Sequence, residues 1–135
     1  MISTKGDPMD VRGRVIRAGR ARGPVLYSEE PVGFFGCVDP RTGEITDRTH
    51  PLRGRSVAGA ILVFPRGKGS TVGSYTLYAC ARNGCAPAGM VLAECGAIIA
   101  AGAAMGQIPT VDRIDVTALA SCRTATIDGE VVCCE

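Results

Sequence analysis

Aromatic side chains are scarce in this chain: three Phe, three Tyr and no Trp, 4% of 135 residues. The core must therefore be built from Val, Ile, Leu and Ala. A base-stacking platform of the kind that reads RNA is excluded, because it needs aromatics set beside basic residues. Charge of one sign is lacking too. A formal net charge of +2 is too small for the electrostatic footprint of a nucleic-acid binder. Long apolar runs are missing, and none approaches the roughly 18 residues of a membrane span. Residues 1–10 are polar, without the apolar stretch of a signal peptide, and read as a frayed start. These absences point to a cytoplasmic, soluble protein with no membrane and no nucleic-acid partner. Histidine occurs once, at His50, distant in sequence from any cysteine, and no Cys-x-x-Cys pair occurs. A zinc or cluster site within the chain finds no support in that pattern.

Cysteine and glycine are plentiful by contrast. The seven cysteines are Cys37, Cys80, Cys85, Cys95, Cys122, Cys133 and Cys134. An odd number leaves at least one thiol free or paired outside the chain. Small-residue packing is the plain reading for most of them, with internal disulfides open in a hyperthermophile. Eighteen glycines indicate many turns and close backbone contacts. At this length a single domain over 1–135 is the natural expectation.

The most informative stretch is Gly67-Lys68-Gly69-Ser70-Thr71-Val72-Gly73-Ser74-Tyr75. Before it, residues 57–64 form an apolar run that reads as a strand covered on both faces, closed by Pro65. After it, residues 74–83 read as a short helix ending at Gly84. A strand, a glycine-rich turn and a helix start leave the first helical N–H groups pointing into the turn. Ser70 lies among them. Aimed amides and a helix N-terminus would stabilise its alkoxide and allow it to act as a base. The plain alternative is that Ser70, Thr71 or Ser74 is an N-cap. The loop is not a P-loop, since the lysine precedes the second glycine.

Elsewhere, residues 11–18 alternate with Arg12, Arg14 and Arg17 and read as a half-buried strand. A turn at 19–23 and a strand at 24–28 complete a hairpin. Its arginines form either a solvated face or a basic rim near an anionic ligand or a partner. Residues 32–38 suggest a strand, Asp39-Pro40 with Thr42-Gly43 a turn, and residues 44–46 a short return strand. Asp39, Asp47 and His50 are candidates to gather in one place, where His50 is structural or catalytic. Strands are expected at 89–93 and 108–111, and a tightly packed helix at 96–105 ended by Gly106. A helical turn is expected at 117–121. Residues 124–127 and 130–133 make a hairpin about Asp128-Gly129. The fold class is mixed α/β, β-rich at both ends with β/α alternation between.

The Ser70 loop resembles the Gly-x-Gly-Ser-Ser turn of the swivel domain in aconitase and isopropylmalate isomerase. Val72 stands where those families place a carboxylate-holding arginine, which argues against a tricarboxylic substrate. A resemblance covering most of the chain is to the swivel domain, or small subunit, of aconitase X. It is carried by Gly13-Arg14-Val15-Ile16 through Gly23-Pro24, by Phe34-Phe35-Gly36-Cys37-Val38-Asp39-Pro40, and by Thr42-Gly43-Glu44-Ile45 with Asp47. It continues in His50-Pro51-Leu52, Gly54 with Ser56-Val57-Ala58-Gly59, the Ser70 loop, Ala86-Pro87-Ala88 and Gly106-Gln107-Ile108-Pro109. Cys37 and Thr49 depart from the family, which usually shows glycine and frequently histidine at those places.

The resemblance implies a β/β/α swivel fold, a barrel-like or layered sheet flanked by a few helices. It implies a hydro-lyase in which a separate large subunit holds an iron–sulfur cluster, of the 4Fe-4S type, whose iron acts as Lewis acid on the leaving hydroxyl. This chain would supply the base, Ser70. The N–H groups of Thr71, Val72 and Gly73 would serve its alkoxide or a substrate oxygen, with Gly69 also at the substrate. Lys68 or Arg66 would attract a small anionic substrate, unless both are merely solvated loop charges. The segment holding Asp39, Asp47 and His50 would support the site or an interface. Two substrates are associated with the family. One is (R)-5-phosphomevalonate, dehydrated to trans-anhydromevalonate 5-phosphate in archaeal isoprenoid synthesis; the other is cis-3-hydroxy-L-proline. The separate chain, its short length and its cysteine richness favour the first. A reading from a different class is a non-catalytic scaffold that binds an anion at the glycine turn.

Overall fold

A computed structural model describes residues 9–135. Of the expected frayed start, residues 1–8 lie outside the described residues, while Met9 and Asp10 begin a strand. The elements are β1 (Met9–Arg12), β2 (Arg14–Arg17), β3 (Arg20–Tyr27), β4 (Ile61–Phe64), α1 (Gly73–Arg82), β5 (Gly89–Leu92), α2 (Ala97–Gly106), β6 (Thr110–Asp112), a 3₁₀ turn (Val116–Leu119), β7 (Thr124–Asp128) and β8 (Val131–Cys134).

The strands form one eight-stranded mixed sheet in the order β1-β8-β7-β3-β4-β5-β6-β2. β3, β4, β5 and β6 run parallel to one another, and the remaining pairings are antiparallel. The two edge strands, β1 and β2, are consecutive in the chain and separated by Gly13 alone. The first strand is thus a single bent ribbon serving both edges, and the sheet curls into a nearly closed barrel. Gly13 makes the bend possible. A Cβ there would collide with the main-chain oxygen of Asp112 and stand 2.8 Å from Val111 Cγ1. Its N–H donates to the Glu130 carbonyl at 2.9 Å, tying the bend to the β7–β8 hairpin.

This closure corrects the hairpin expected over residues 11–28. β2 pairs with β6, while β3 lies between β7 and β4. Local alternation identifies strands but says nothing about partners that arrive a hundred residues later. The arginines are also less free than a solvated face implies. Arg14 makes a bidentate pair with Asp112, and Arg12 and Arg22 reach Glu130 and Glu135.

Two apolar clusters lie on opposite faces of the sheet. Ile61 and Val63 of β4, with Val91, Val111, Ile127 and Val132, fill the barrel interior. Leu62 and Phe64, with Met90 and Leu92 of β5, face outward under Leu77, Cys80, Ile99 and Ala103 of the helices and under Val32, Phe34 and Ile45 of the long β3–β4 connection. Every residue of β4 and β5 is buried, as the unbroken apolar run predicts. The helices pack closely because Gly102 lets α2 approach Leu77 of α1. α2 is only half covered, with Ile99, Gly102 and Ala103 buried and Ala101, Ala104 and Met105 exposed.

The strands expected at 32–38 and 44–46 are turns joined by single bridges, Val32 to Gly67, Val38 to Ile45 and Glu44 to Ser56. Their side chains cover the helical layer instead of joining the sheet. Cys122 and Cys134 form a disulfide closing the loop around the β7–β8 hairpin, and the five other cysteines are free thiols. No helix among the described residues is long and apolar enough to cross a membrane.

Candidate functional site

β4 and β5 are parallel neighbours, so both of their C-terminal ends, and the starts of both helices, open on the same side. Ligand sites of open α/β sheets form at such ends. Here they enclose a cleft of about 160 Å³ lined by Arg66, Gly67, Lys68, Gly69 and Gly73 on one side, by Glu94, Gly96, Ala97, Ile98 and Ile99 on the other, and by Phe34. The walls touch at their base. A Cβ on Gly67 would lie 2.7 Å from Ile99 Cγ1, so only glycine lets the loop pass this close to α2. Gly69 takes φ +92°, a left-handed conformation that turns the chain toward α1.

Of the residues expected at the site, Arg66, Lys68, Gly69 and Gly73 line the cleft. Ser70, Thr71 and Val72 bridge Gly69 to Gly73 and are exposed. Ser70 Oγ accepts the Val72 N–H at 3.1 Å. The Gly73 N–H goes instead to the Ser70 carbonyl at 2.9 Å, and the Ser74 N–H to the Thr71 carbonyl at 3.3 Å. Of the donors that sequence reasoning aimed at Oγ, the turn takes the Gly73 N–H, and the Val72 N–H is the one that bonds Oγ among the described residues. The plain N-cap reading also fails for Ser70. α1 is capped at Val72 with no side-chain bond, and Ser74 Oγ donates backward to the Thr71 carbonyl at 3.0 Å.

Two cations and one carboxylate line the cleft, with Phe34, Ile98 and Ile99 giving it an apolar floor. Arg66, Lys68 and Glu94 are exposed, and no ion pair among the described residues joins Glu94 to either cation. Both cations therefore remain available to an anion. Sequence reasoning missed the second wall, although β5 followed by the start of α2 repeats the β4-loop-α1 pattern. Two such parallel units side by side were the signal that residues 94–99 would face residues 66–73.

Asp39, Asp47 and His50 are not among the residues that line the cleft. His50 is buried, its Nδ1 accepts the Leu52 N–H at 3.1 Å, and its Nε2 lies 3.3 Å from the Pro31 carbonyl and 3.4 Å from Ser28 Oγ. An accepting Nδ1 fixes the proton on Nε2 and leaves no free ring nitrogen for catalysis. Asp39 and Asp47 each hold their own turn. Asp39 accepts the Arg41 N–H at 2.9 Å, and Asp47 accepts the Thr49 N–H at 2.9 Å and the Thr49 hydroxyl at 2.8 Å. These amides hold both carboxyls below their usual range. The same connection braces the loop, with the Val32 N–H bonded to the Arg66 carbonyl at 3.1 Å.

The family profile of the aconitase X swivel domain matches residues 10–133. The chain belongs to that family. It is 47% identical over 122 residues to the phosphomevalonate dehydratase small subunit of Thermococcus kodakarensis, covering 90% of this chain and 92% of that one. The protein of the same name from Methanothermobacter thermautotrophicus is 53% identical over 105 residues, 78% of this chain and 80% of that one. The fold superimposes on the crystal structure of Thermococcus kodakaraensis aconitase X in its holo form with a TM-score of 0.89 at 45% identity, covering 92% of this chain and 96% of that chain. The β/β/α swivel architecture is thus the family's.

An aconitase-type cluster does not fit the donors of this swivel domain. Among the described residues no group of three or more His, Cys, Asp or Glu side chains is arranged to hold a metal ion. Burial first, and the neighbouring Cys85 second, push Cys80 up to about 12, while burial and then Asp112 push Cys95 up to about 11. Cys122 and Cys134 are consumed in their disulfide.

Proposed function

We propose that this chain is the small subunit of a two-subunit hydro-lyase that dehydrates (R)-5-phosphomevalonate, with Ser70 as the base. The carrying observation is a glycine-built cleft at the ends of two parallel strands, bearing Arg66 and Lys68 and lined by Gly69 and Gly73 on either side of Ser70 in the chain, in a chain closely similar along most of its length to proteins named phosphomevalonate dehydratase small subunit. Dehydration breaks a C–H bond next to the carbon bearing the hydroxyl. The electron pair becomes the alkene, and hydroxide and proton leave together as water. This chain's share is to hold the anion and take the proton. Arg66 and Lys68 bind the phosphate or carboxylate. The Val72 N–H, at the positive end of α1, stabilises Ser70 as an alkoxide whose own proton has gone to solvent, and that oxygen then takes the substrate's C–H proton. Gly69, Thr71 and Gly73 shape the turn; the Gly69 and Thr71 amides face substrate oxygen, and the Gly73 amide, bonded to the Ser70 carbonyl, does so only after the turn rearranges. Val72 presents no cation, in keeping with a substrate that is not a tricarboxylate.

In this reading the iron–sulfur cluster belongs to the large subunit, and the assembled enzyme works in the cytoplasm. The large subunit also completes the site. An exposed serine is fully hydrated, and a single amide cannot make it a base in water. Phe35, Val72 and Tyr75 are 57%, 44% and 66% exposed beside the loop and are proposed to dock against that subunit, closing the cleft to solvent. The test is to purify the chain with its large-subunit partner and assay phosphomevalonate against cis-3-hydroxy-L-proline. Turnover of the phosphorylated substrate alone is expected. Preference for hydroxyproline, or no dehydration of either by an assembled complex, would refute the assignment.

A further inference from the structure

We propose that Asp112 is a positioning residue for this cleft, holding through the Cys95 amide the corner from which α2 springs. It rests on the reading of the cleft as the substrate site. Asp112 ends β6 and is fully buried. Its Oδ1 accepts Arg14 Nε at 2.9 Å, and its Oδ2 accepts Arg14 Nη2 at 2.8 Å and the Cys95 N–H at 2.8 Å. Adjacent residues fasten the same corner: the Arg113 N–H donates to the Ala93 carbonyl at 3.1 Å and the Ile114 N–H to the Leu92 carbonyl at 3.3 Å. The corner residues Glu94, Gly96, Ala97 and Ile98 form the wall opposite the Ser70 loop, and Ile99 behind them rests on Gly67.

The two roles of Asp112 are separable. Arg14 and Asp112 face each other across β2 and β6, so their pair adds a side-chain clip to that ladder. The bond to Cys95 contributes nothing to that clip, because it leaves the sheet for the loop. Only a carboxylate accepts all three donors. Asparagine always turns its NH₂ toward Arg14 but can keep its oxygen on the Cys95 N–H, whereas alanine removes both bonds. Burial raises the Asp112 carboxyl, while the Arg14 hydrogen bond and the Cys95 amide outweigh it and keep the group ionised.

The test compares Asp112→Ala with Arg14→Ala, each as the full chain and as the assembled two-subunit enzyme, below the melting temperature of both variants. Both changes loosen the barrel edge. Only Asp112→Ala is expected to speed hydrogen exchange at the Cys95 amide in the full chain, and only it should raise KM for the anionic substrate by about tenfold, through misplacement of the wall. Equal exchange at Cys95 in the two variants, or equal KM values, would overturn the proposal and leave Asp112 a barrel clip. A wild-type complex inert toward phosphomevalonate would instead sink the functional assignment, and Cys95 exchange would still decide the positioning role.

Discussion

Ser70 has one amide on its oxygen and water around it, so its chemistry depends on the charges and cover nearby. Lys68 and Arg66 are exposed cations in the same cleft. A charge-assisted hydrogen bond contributes about 1.5–3 kcal/mol, so Lys68→Ala in the assembled enzyme should raise KM roughly tenfold or more with kcat changed little. Steady-state kinetics on the phosphorylated substrate check this, and an unchanged KM would place the anion elsewhere. Asp112 carries the clearest pH signature. Its folded carboxyl lies below the ordinary 3.8, so its stabilisation is complete above that value and fades as pH falls through the lower, folded value. Acid unfolding followed by circular dichroism should therefore steepen below about pH 4 in the wild type and lose that component in Asp112→Asn. At this scale the sequence was partly legible. The glycine spacing around Ser70 located the loop, since glycine is needed at Gly67 for contact with Ile99 and at Gly69 for its left-handed turn. It did not reveal that Gly73 spends its N–H on the Ser70 carbonyl, because the choice between tight turn and open donor array is made in three dimensions.

Among the elements, those whose signals are local came through. The buried strand before the loop, both helices and the Asp-Gly hairpin lie within a few residues of their expected places. β4 began at Ile61 rather than 57 because residues 57–60 turn, with the Ala60 N–H bonded to the Val57 carbonyl at 3.1 Å. Pairing was not legible. The ribbon bent at Gly13 joins β8 on one side and β6 on the other, partners set by barrel closure. Gly13→Ala should destabilise the chain by about 3 kcal/mol, at the upper end of overpacking costs, since the new methyl meets the Asp112 carbonyl and Val111 at once. Chemical denaturation measures this, and a loss below 1 kcal/mol would contradict the closure. The Cys122–Cys134 bridge spans a separation of 12 residues. Replacing both cysteines with serine should cost about 2–3 kcal/mol, read as a lower melting temperature in non-reducing buffer.

As a whole molecule, the swivel domain leaves uncovered the very features that a chemical site needs covered. Phe35, Val72 and Tyr75 surround a loop whose serine is exposed, and the outer face of α2 presents Ala101, Ala104 and Met105 to solvent. Tyr75→Asp should weaken association with the large subunit at least roughly tenfold while leaving the free chain folded, because the side chain is 66% exposed. Analytical ultracentrifugation of mixed subunits checks this. The most direct test replaces Ser70 with Ala in the assembled complex and follows loss of the substrate proton in D₂O together with alkene formation. Removing a general base should slow both by about 10²–10⁴-fold, with assembly and substrate affinity intact. Proton loss and turnover at wild-type rates would contradict the role of Ser70 and leave the loop a binding element only.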